Sequence, residues 1–163
     1  MNELTHLDEL GHVRMVDVTD KADTERWALA RGTVMMTRKT FELITLGKVT
    51  KGNVFETARI AGIQAAKKTW DLIPMCHPLA ITSVRIDFTA DDQRPAFHIA
   101  AEVRVKGPTG VEMEALTAVA TAALTIYDMC KSIDKSMVIS DIRLEEKTGG
   151  KSGHFIRDAH ETP

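Results

Sequence analysis

Residues 111–131, VEMEALTAVATAALTIYDMCK, carry Ala, Val, Leu, Ile and Met on nearly every side of a helical wheel. A helix that apolar must be packed beneath other elements, and this restricts the fold more than any other segment does. Against that background Glu114, Thr117, Thr121, Thr125, Asp128 and Lys131 recur at steps of three and four and form one polar stripe. A buried helix with such a stripe meets a partner or lines a pocket. Upstream, Ile81, Val84, Ile86 and Phe88 sit among polar residues. Phe97, Ile99, Ala101, Val103 and Val105 then alternate with His98, Ala100, Glu102, Arg104 and Lys106. The polar link over residues 91–95 makes these two runs an antiparallel hairpin.

The remaining pattern predicts a short strand over residues 33–36, then a helix from the N-cap Thr37 to about Leu46, ended by Gly47. A second helix is expected from Asn53, which forms a capping box with Glu56, to about Lys68. Its inner face (Val54, Ala58, Ala61 and Ala65, with Gly62 alongside) is small enough for close approach of another backbone. A last strand is expected over residues 137–144, followed by a Gly/Lys loop over 147–153. Residues 1–30 are polar and weakly patterned, and residues 1–12 and 154–163 read as loose tails of a single domain spanning 1–163. The order β-α-α-β-β-α-β, less one helix, is the split β-α-β of a ferredoxin-like α+β sandwich: an antiparallel sheet covered by helices, with an extra helix.

Charge and composition narrow the function classes. A net charge of −2 gives no general affinity for nucleic acid or membranes. No apolar run reaches the ~18 residues of a membrane span, and Met1–His6 has neither the basic nor the apolar part of a signal peptide. Two cysteines, Cys76 and Cys130, make no disulfide framework, so the expected compartment is the reducing cytoplasm.

Several residues stand out chemically. Lys131 suits a helix C-terminus, but Asp128 in the same last turn opposes the helix dipole, which marks the pair as an acid–base candidate as well as an ordinary surface ion pair. Lys51, beside Gly52 at the start of the second helix, fits an anion site. Lys67 and Lys68 at its other end read as dipole complements. Gly150-Lys151-Ser152 imitates the end of a Walker A motif, but the first glycine would fall at Glu145 and no helix follows, so a P-loop is excluded. A Gly-flanked basic loop closing over a phosphorylated ligand fits instead. Met75-Cys76-His77-Pro78 lacks companion ligands for zinc, and His77, framed by Pro74 and Pro78, suits orientation of a substrate.

Together these segments resemble the MoaC family, the cyclic pyranopterin monophosphate synthases of molybdenum cofactor biosynthesis. The resemblance rests on Met15-Val16-Asp17-Val18, Lys51-Gly52, residues 57–67 (TARIAGIQAAK), Trp70-Asp71-Leu72-Ile73-Pro74, Cys76-His77-Pro78, residues 109–117 (TGVEMEALT), residues 122–131 (AALTIYDMCK) and Gly149-Gly150-Lys151-Ser152-Gly153. Met75 stands where the family commonly has Leu, and His154 where an acidic residue is frequent.

The resemblance implies a ferredoxin-like fold, dimers grouped into a homohexamer with sites at dimer interfaces, and a small-molecule substrate, 3′,8-cyclo-7,8-dihydroguanosine triphosphate. That substrate is converted to the pyranopterin with release of pyrophosphate. It further implies Asp128, Lys131 and Lys51 as catalytic, Met75, Cys76, His77, Glu112, Met113 and Glu114 as substrate contacts, and Arg26, Lys67 and Lys147 as phosphate ligands. No resident metal or cofactor is implied, Mg²⁺ carried by the triphosphate being compatible with the resemblance but not required by it, and no nucleic-acid or membrane partner. Moving protons between nitrogen, carbon and oxygen requires ionisable groups. Crowded lysines are expected to lower the pKa of one of them, so that Lys131, oriented by Asp128, relays protons as a base while Lys51 protonates a departing group. Glu112 points away from the Asp128 stripe, which requires a pocket that wraps the helix start or a site shared between subunits. A ligand-binding module on the same fold would give no reason for the acid–base stripe, and an RNA-recognition domain would need strand aromatics where residues 96–106 offer only Phe97.

Overall fold

The Thr37 side chain accepts the Thr40 N–H and starts α1 (Arg38–Thr45), and Asn53 accepts the Glu56 N–H and starts α2 (Val54–Lys67), as their spacing predicts. A single turn, α3 (Thr69–Leu72), follows and had no signal of its own. The computed structural model describes residues 10–158. Within them five strands, β1 (Thr24–Met35), β2 (Ile81–Asp91), β3 (Ala96–Gly107), β4 (Val138–Thr148) and β5 (Phe155–Ile156), form one sheet in the order β2-β3-β1-β4-β5. Every neighbouring pair is antiparallel, so the first four strands have the ferredoxin-like arrangement.

Helices lie on one face of this sheet. The long helix α4 (Glu112–Cys130) crosses β1, β3 and β4, and α2 packs beside it over β2. Gly62 of α2 lies so close to the Ala118 carbonyl that an added Cβ would sit 2.9 Å from it, which brings the two helix backbones into contact. Because Gly62 meets Ala118 and Ala122 while Lys51, just before α2, reaches Asp128, the two helices run antiparallel. The core beneath them holds Val34, Ile86, Ile99, Val103, Val119 and Ile126, and a row of rings runs beside it: Phe41 stacks on Phe97, Phe97 meets Phe55 edge-to-face, and Phe55 stacks on Phe88, with centroids 4.8–4.9 Å apart.

Three boundaries differ from expectation. β1 begins at Thr24 instead of Thr33, because its inward residues Ala28, Ala30 and Gly32 are small and give little hydrophobic contrast with Trp27, Leu29 and Arg31. At Gly32 an added Cβ would fall 2.6 Å from a methyl of Val119, so the small residues are what admit α4. β4 runs on to Thr148, pairing Lys147 with Ala28, so Lys147 belongs to a strand and the glycine loop starts at Gly149. Part of the expected C-terminal tail is β5, where Phe155 pairs with Lys147. The other tail residues, 1–9 and 159–163, lie outside the described residues.

Candidate active site

Two clusters of functional side chains occupy opposite ends of α4. At the C-terminal end the Asp128 carboxylate receives the Lys131 ammonium at 2.7 Å and the Lys51 ammonium at 3.5 Å. Lys51 also donates to the Asp128 backbone carbonyl at 2.7 Å, which uses an end-of-helix acceptor and ties the turn before α2 to α4. The Lys131 hydrogen bond and charge, with the charge of Lys51, hold the Asp128 carboxyl below its ordinary value. The same hydrogen bond raises Lys131, so Lys131 is an ammonium and not the lowered-pKa base expected from lysine crowding. One carboxylate between two amines outweighs the repulsion between them. All three groups are exposed.

At the N-terminal end a cavity of about 350 Å³ is lined by Met75, Cys76, His77, Met113 and Glu114, together with Val16, Val18, Lys21, Thr109 and Gly110. Glu114 does not share the exposure of the polar stripe: it is 4% exposed and turned into this cavity. Burial, reinforced by the neighbouring Glu112 charge, pushes its carboxyl up to about 7 despite a backbone hydrogen bond that lowers it. Burial, then the Glu114 charge, likewise raise the Cys76 thiol. The His77 ring meets the Val16 carbonyl through Nε2 at 2.7 Å. With that nitrogen donating, Nδ1 of the neutral ring is left as an acceptor.

Beside this cavity lies a cationic corner. Arg26 donates through Nε to the Gly107 carbonyl at 2.9 Å and through Nη2 to the Pro108 carbonyl at 3.0 Å, leaving Nη1 toward Gly150. Gly149 and Gly150 both have positive φ (94° and 76°), and any side chain there would collide with β1 or the Arg26 guanidinium. Lys147 pairs with Glu112 at 3.7 Å and donates to the Ser152 hydroxyl. Lys67, at the end of α2, is exposed at the same end of α4 with no side-chain partner among the described residues. A second cavity, of about 390 Å³, joins Arg26 to Asp20, Lys21, Ala22, Thr24, Gly150 and Lys151.

A sequence profile of the MoaC family matches residues 15–150. The chain belongs to the MoaC family. Among its relatives are proteins named cyclic pyranopterin monophosphate synthase from Desulforapulum autotrophicum (60% identical, covering 100% of both chains) and Heliobacterium modesticaldum (60%, covering 97% of this chain and 99% of the relative). Another with that name, from Desulfitobacterium hafniense, is 61% identical over 97% of this chain and 96% of its own.

In this MoaC chain, every residue carried over from the family falls into one of the two clusters. Asp128, Lys131 and Lys51 form one; Met75, Cys76, His77, Met113 and Glu114 line the cavity of the other, with Glu112, Lys147 and Arg26 beside it and Lys67 at the end of α2 nearer that end of α4. Glu114 and Asp128 are 14 residues apart on α4, or about 21 Å at the helical rise, so the clusters of one chain do not meet. Sequence reasoning missed Lys21, which lines both cavities, and Lys151, which lines the second. The signal for Lys21 was its place just after the Met15-Val16-Asp17-Val18 motif, where Asp17 forms a turn with Thr19 and the Val18 carbonyl accepts the Lys21 N–H. It also missed Asp134, buried beside α1. Among the described residues no group of three or more His, Cys, Asp or Glu could hold a metal ion, and no helix is long and apolar enough to cross a membrane.

Proposed function

We propose that this chain is a cyclic pyranopterin monophosphate synthase, a phosphorus–oxygen lyase acting early in molybdenum cofactor biosynthesis in the cytoplasm. Its substrate is 3′,8-cyclo-7,8-dihydroguanosine triphosphate. The observation that carries this reading is the convergence of Lys51 and Lys131 on one exposed carboxylate, Asp128, in a chain about 60% identical to relatives bearing that name.

Each site is assembled from two subunits of a dimer within a hexamer. One subunit supplies Asp128, Lys131 and Lys51; the other supplies the cavity with Glu114 and His77 and the cationic corner. The 21 Å separation supports this division, since an acid–base group must lie within hydrogen-bond reach of the atom it serves. It also accounts for Glu112, which faces Lys147 and not the Asp128 stripe.

In the reaction Lys131, an ammonium oriented by Asp128, donates a proton as the purine and ribose reorganise, and Lys51 protonates a departing group. Arg26, Lys67 and Lys147 hold the triphosphate, Arg26 through the nitrogen left free of its two carbonyls. A sugar hydroxyl then gives its proton to the Lys131 amine left by that donation and bonds to the α-phosphorus as the bond from that phosphorus to the bridging oxygen breaks, and pyrophosphate leaves with the proton that Lys51 supplies. Cations fixed before the charge develops stabilise the phosphorane-like transition state without reorganising. No resident cofactor or metal takes part; Mg²⁺ enters with the triphosphate, and neither nucleic acid nor membrane is a partner.

The test is incubation with the cyclised dihydro-GTP followed by a pyrophosphate assay. Wild-type protein releases pyrophosphate, and Asp128→Ala and Arg26→Ala each fail to. Mixed after reversible dissociation, the two inactive variants recover about a quarter of wild-type turnover, because half of random dimers are hybrids with one intact site. Turnover by neither the wild type nor the mixture overturns the synthase reading; an active wild type with no complementation overturns only the shared site.

A further inference from the structure

The turn that follows α4 is fastened by a residue to which neither the sequence pattern nor the proposed mechanism assigns a role. Asp134 is 5% exposed, and its two oxygens together accept four hydrogen bonds. One takes the Thr37 N–H at 2.8 Å and the Thr40 hydroxyl at 3.3 Å, at the start of α1. The other takes the Ser136 N–H at 2.9 Å and the Ser136 hydroxyl at 2.6 Å. Its own N–H returns to the Cys130 carbonyl at 3.0 Å, beside the Ile133 N–H at 2.8 Å, closing the last turn of α4. Thr40 is itself fully buried, so its hydroxyl has no solvent alternative. Burial pushes the Asp134 carboxyl up, and the donors of Ser136 and Thr37 together pull it well below its ordinary value.

Lys131 lies between this anchor and Asp128. Its backbone caps α4 by donating to the Tyr127 carbonyl, and the Tyr127 hydroxyl reaches forward to the Lys135 carbonyl at 3.2 Å. The segment 131–137 is therefore held at both ends, while the Lys131 side chain is exposed and gains its direction from the backbone that carries it. The Lys51–Asp128 carbonyl bond fastens the same helix end from the other side.

We propose that Asp134 is a positioning residue for the acid–base trio: by clamping the turn after α4 to the start of α1, it keeps Lys131 and Lys51 on the Asp128 carboxylate. The proposal rests on the synthase reading for its kinetic consequence but not for its geometric one. A group displaced by a fraction of an ångström from its productive place loses rate without losing substrate affinity.

The test is Asp134→Asn, which keeps the shape but turns one carboxylate oxygen into a nitrogen that cannot accept, so that either the Thr37 and Thr40 donors or the two Ser136 donors lose their acceptor. Two readouts are taken on folded protein: kcat against KM, and the titration of the Lys131 amine followed by NMR on Cε-labelled lysine, assigned with Lys131→Arg. The expected result is a kcat lowered about tenfold or more with KM within about twofold, and a Lys131 titration moved toward that of a free lysine. A lower melting temperature with wild-type kcat and wild-type Lys131 titration overturns the proposal, because a purely structural anchor gives that pattern. If Asp134→Asn does not fold, Thr40→Val removes one donor with little change in shape, and the same two readouts decide. If the wild type shows no turnover, the synthase reading fails and the Lys131 titration alone decides the role of Asp134.

Discussion

Replacing Glu114 by glutamine should stabilise the protein much more at pH 8 than at pH 5. The carboxyl titrates at about 7 in the folded chain, with burial as the main cause, against an ordinary value of 4.5. Between those values the native state holds a proton that the unfolded chain has released. Stability therefore falls as pH rises through that window, and the full penalty is present above 7. A tenfold change in acidity is worth about 1.4 kcal/mol, so the penalty at pH 8 is at most about 3 kcal/mol. Glutamine has nearly the same shape and no charge to desolvate. Urea denaturation of both proteins at pH 5 and pH 8, at one fixed concentration, gives four stabilities. Other titrating groups are common to the pair, so the difference of differences isolates Glu114. We expect the variant to gain about 1–3 kcal/mol on the wild type between the two pH values, the range allowing for imperfect pairing of the amide. Parallel loss of stability in the two proteins would refute the reasoning that burial has raised this carboxyl. A gain in stability accompanied by loss of turnover would place Glu114 among residues kept for function at the expense of folding.

Lys131→Ala should leave the melting temperature within a few degrees of wild type, since its ion pair is exposed, yet reduce kcat in the pyrophosphate assay by about a hundredfold or more. Arg26→Lys should raise KM more than it lowers kcat, because a lysine cannot hold two carbonyls and still present a third nitrogen to a phosphate; steady-state kinetics separates the two. Gly62→Ala should lose about 1–3 kcal/mol by urea denaturation, the new methyl meeting the Ala118 carbonyl and the Ile86 side chain. An unchanged midpoint there would show that α2 can slide on α4 at little cost.

The fold was legible wherever large apolar residues alternate or repeat. β3, α4 and both side-chain N-caps lie where the pattern puts them, since Phe97, Ile99, Val103 and Val105 contrast with their polar neighbours, and Thr37 and Asn53 precede helical runs. Most of β1 was not legible because it is a central strand whose inward residues are Ala and Gly, chosen for the close passage of α4. The end of β4 was hidden for a different reason. Glu145, Glu146 and Lys147 look like a charged loop, yet Glu146 and Lys147 pair with β1 on one side and β5 on the other, and Glu145 is the extra residue at the register shift against β1. At the site, Asp128 and Lys131 were visible from their three-residue spacing, and Lys51 only from its neighbours and the family resemblance. The sense of the Lys131 shift was not visible, because it depends on which opposite charge lies at 2.7 Å rather than on how many lysines are nearby. Glu114 looked like a member of the polar stripe until the packing of residues 75–77 and 109–110 enclosed it.

Why the two clusters sit at opposite ends of one helix follows from what α4 is. Buried against β1, β3 and β4 and against α2, it is the most constrained rod in the molecule, so the interval between its ends hardly varies. In the dimer proposed above, a two-fold axis would set two such rods against each other, each giving its C-terminal trio to one site and its N-terminal cavity to the other. The charges fit this use. The exposed trio carries two ammonium groups on one carboxylate and is left with net positive charge, and at the cavity end Glu112 is paired with Lys147 while Lys21, Arg26 and Lys151 line the cavities, so each end offers cations to a polyanionic substrate. Under the dimer proposed above, the part of the polar stripe left at the surface, from Thr117 to Lys131, is the strip of this core helix that a second copy would complete.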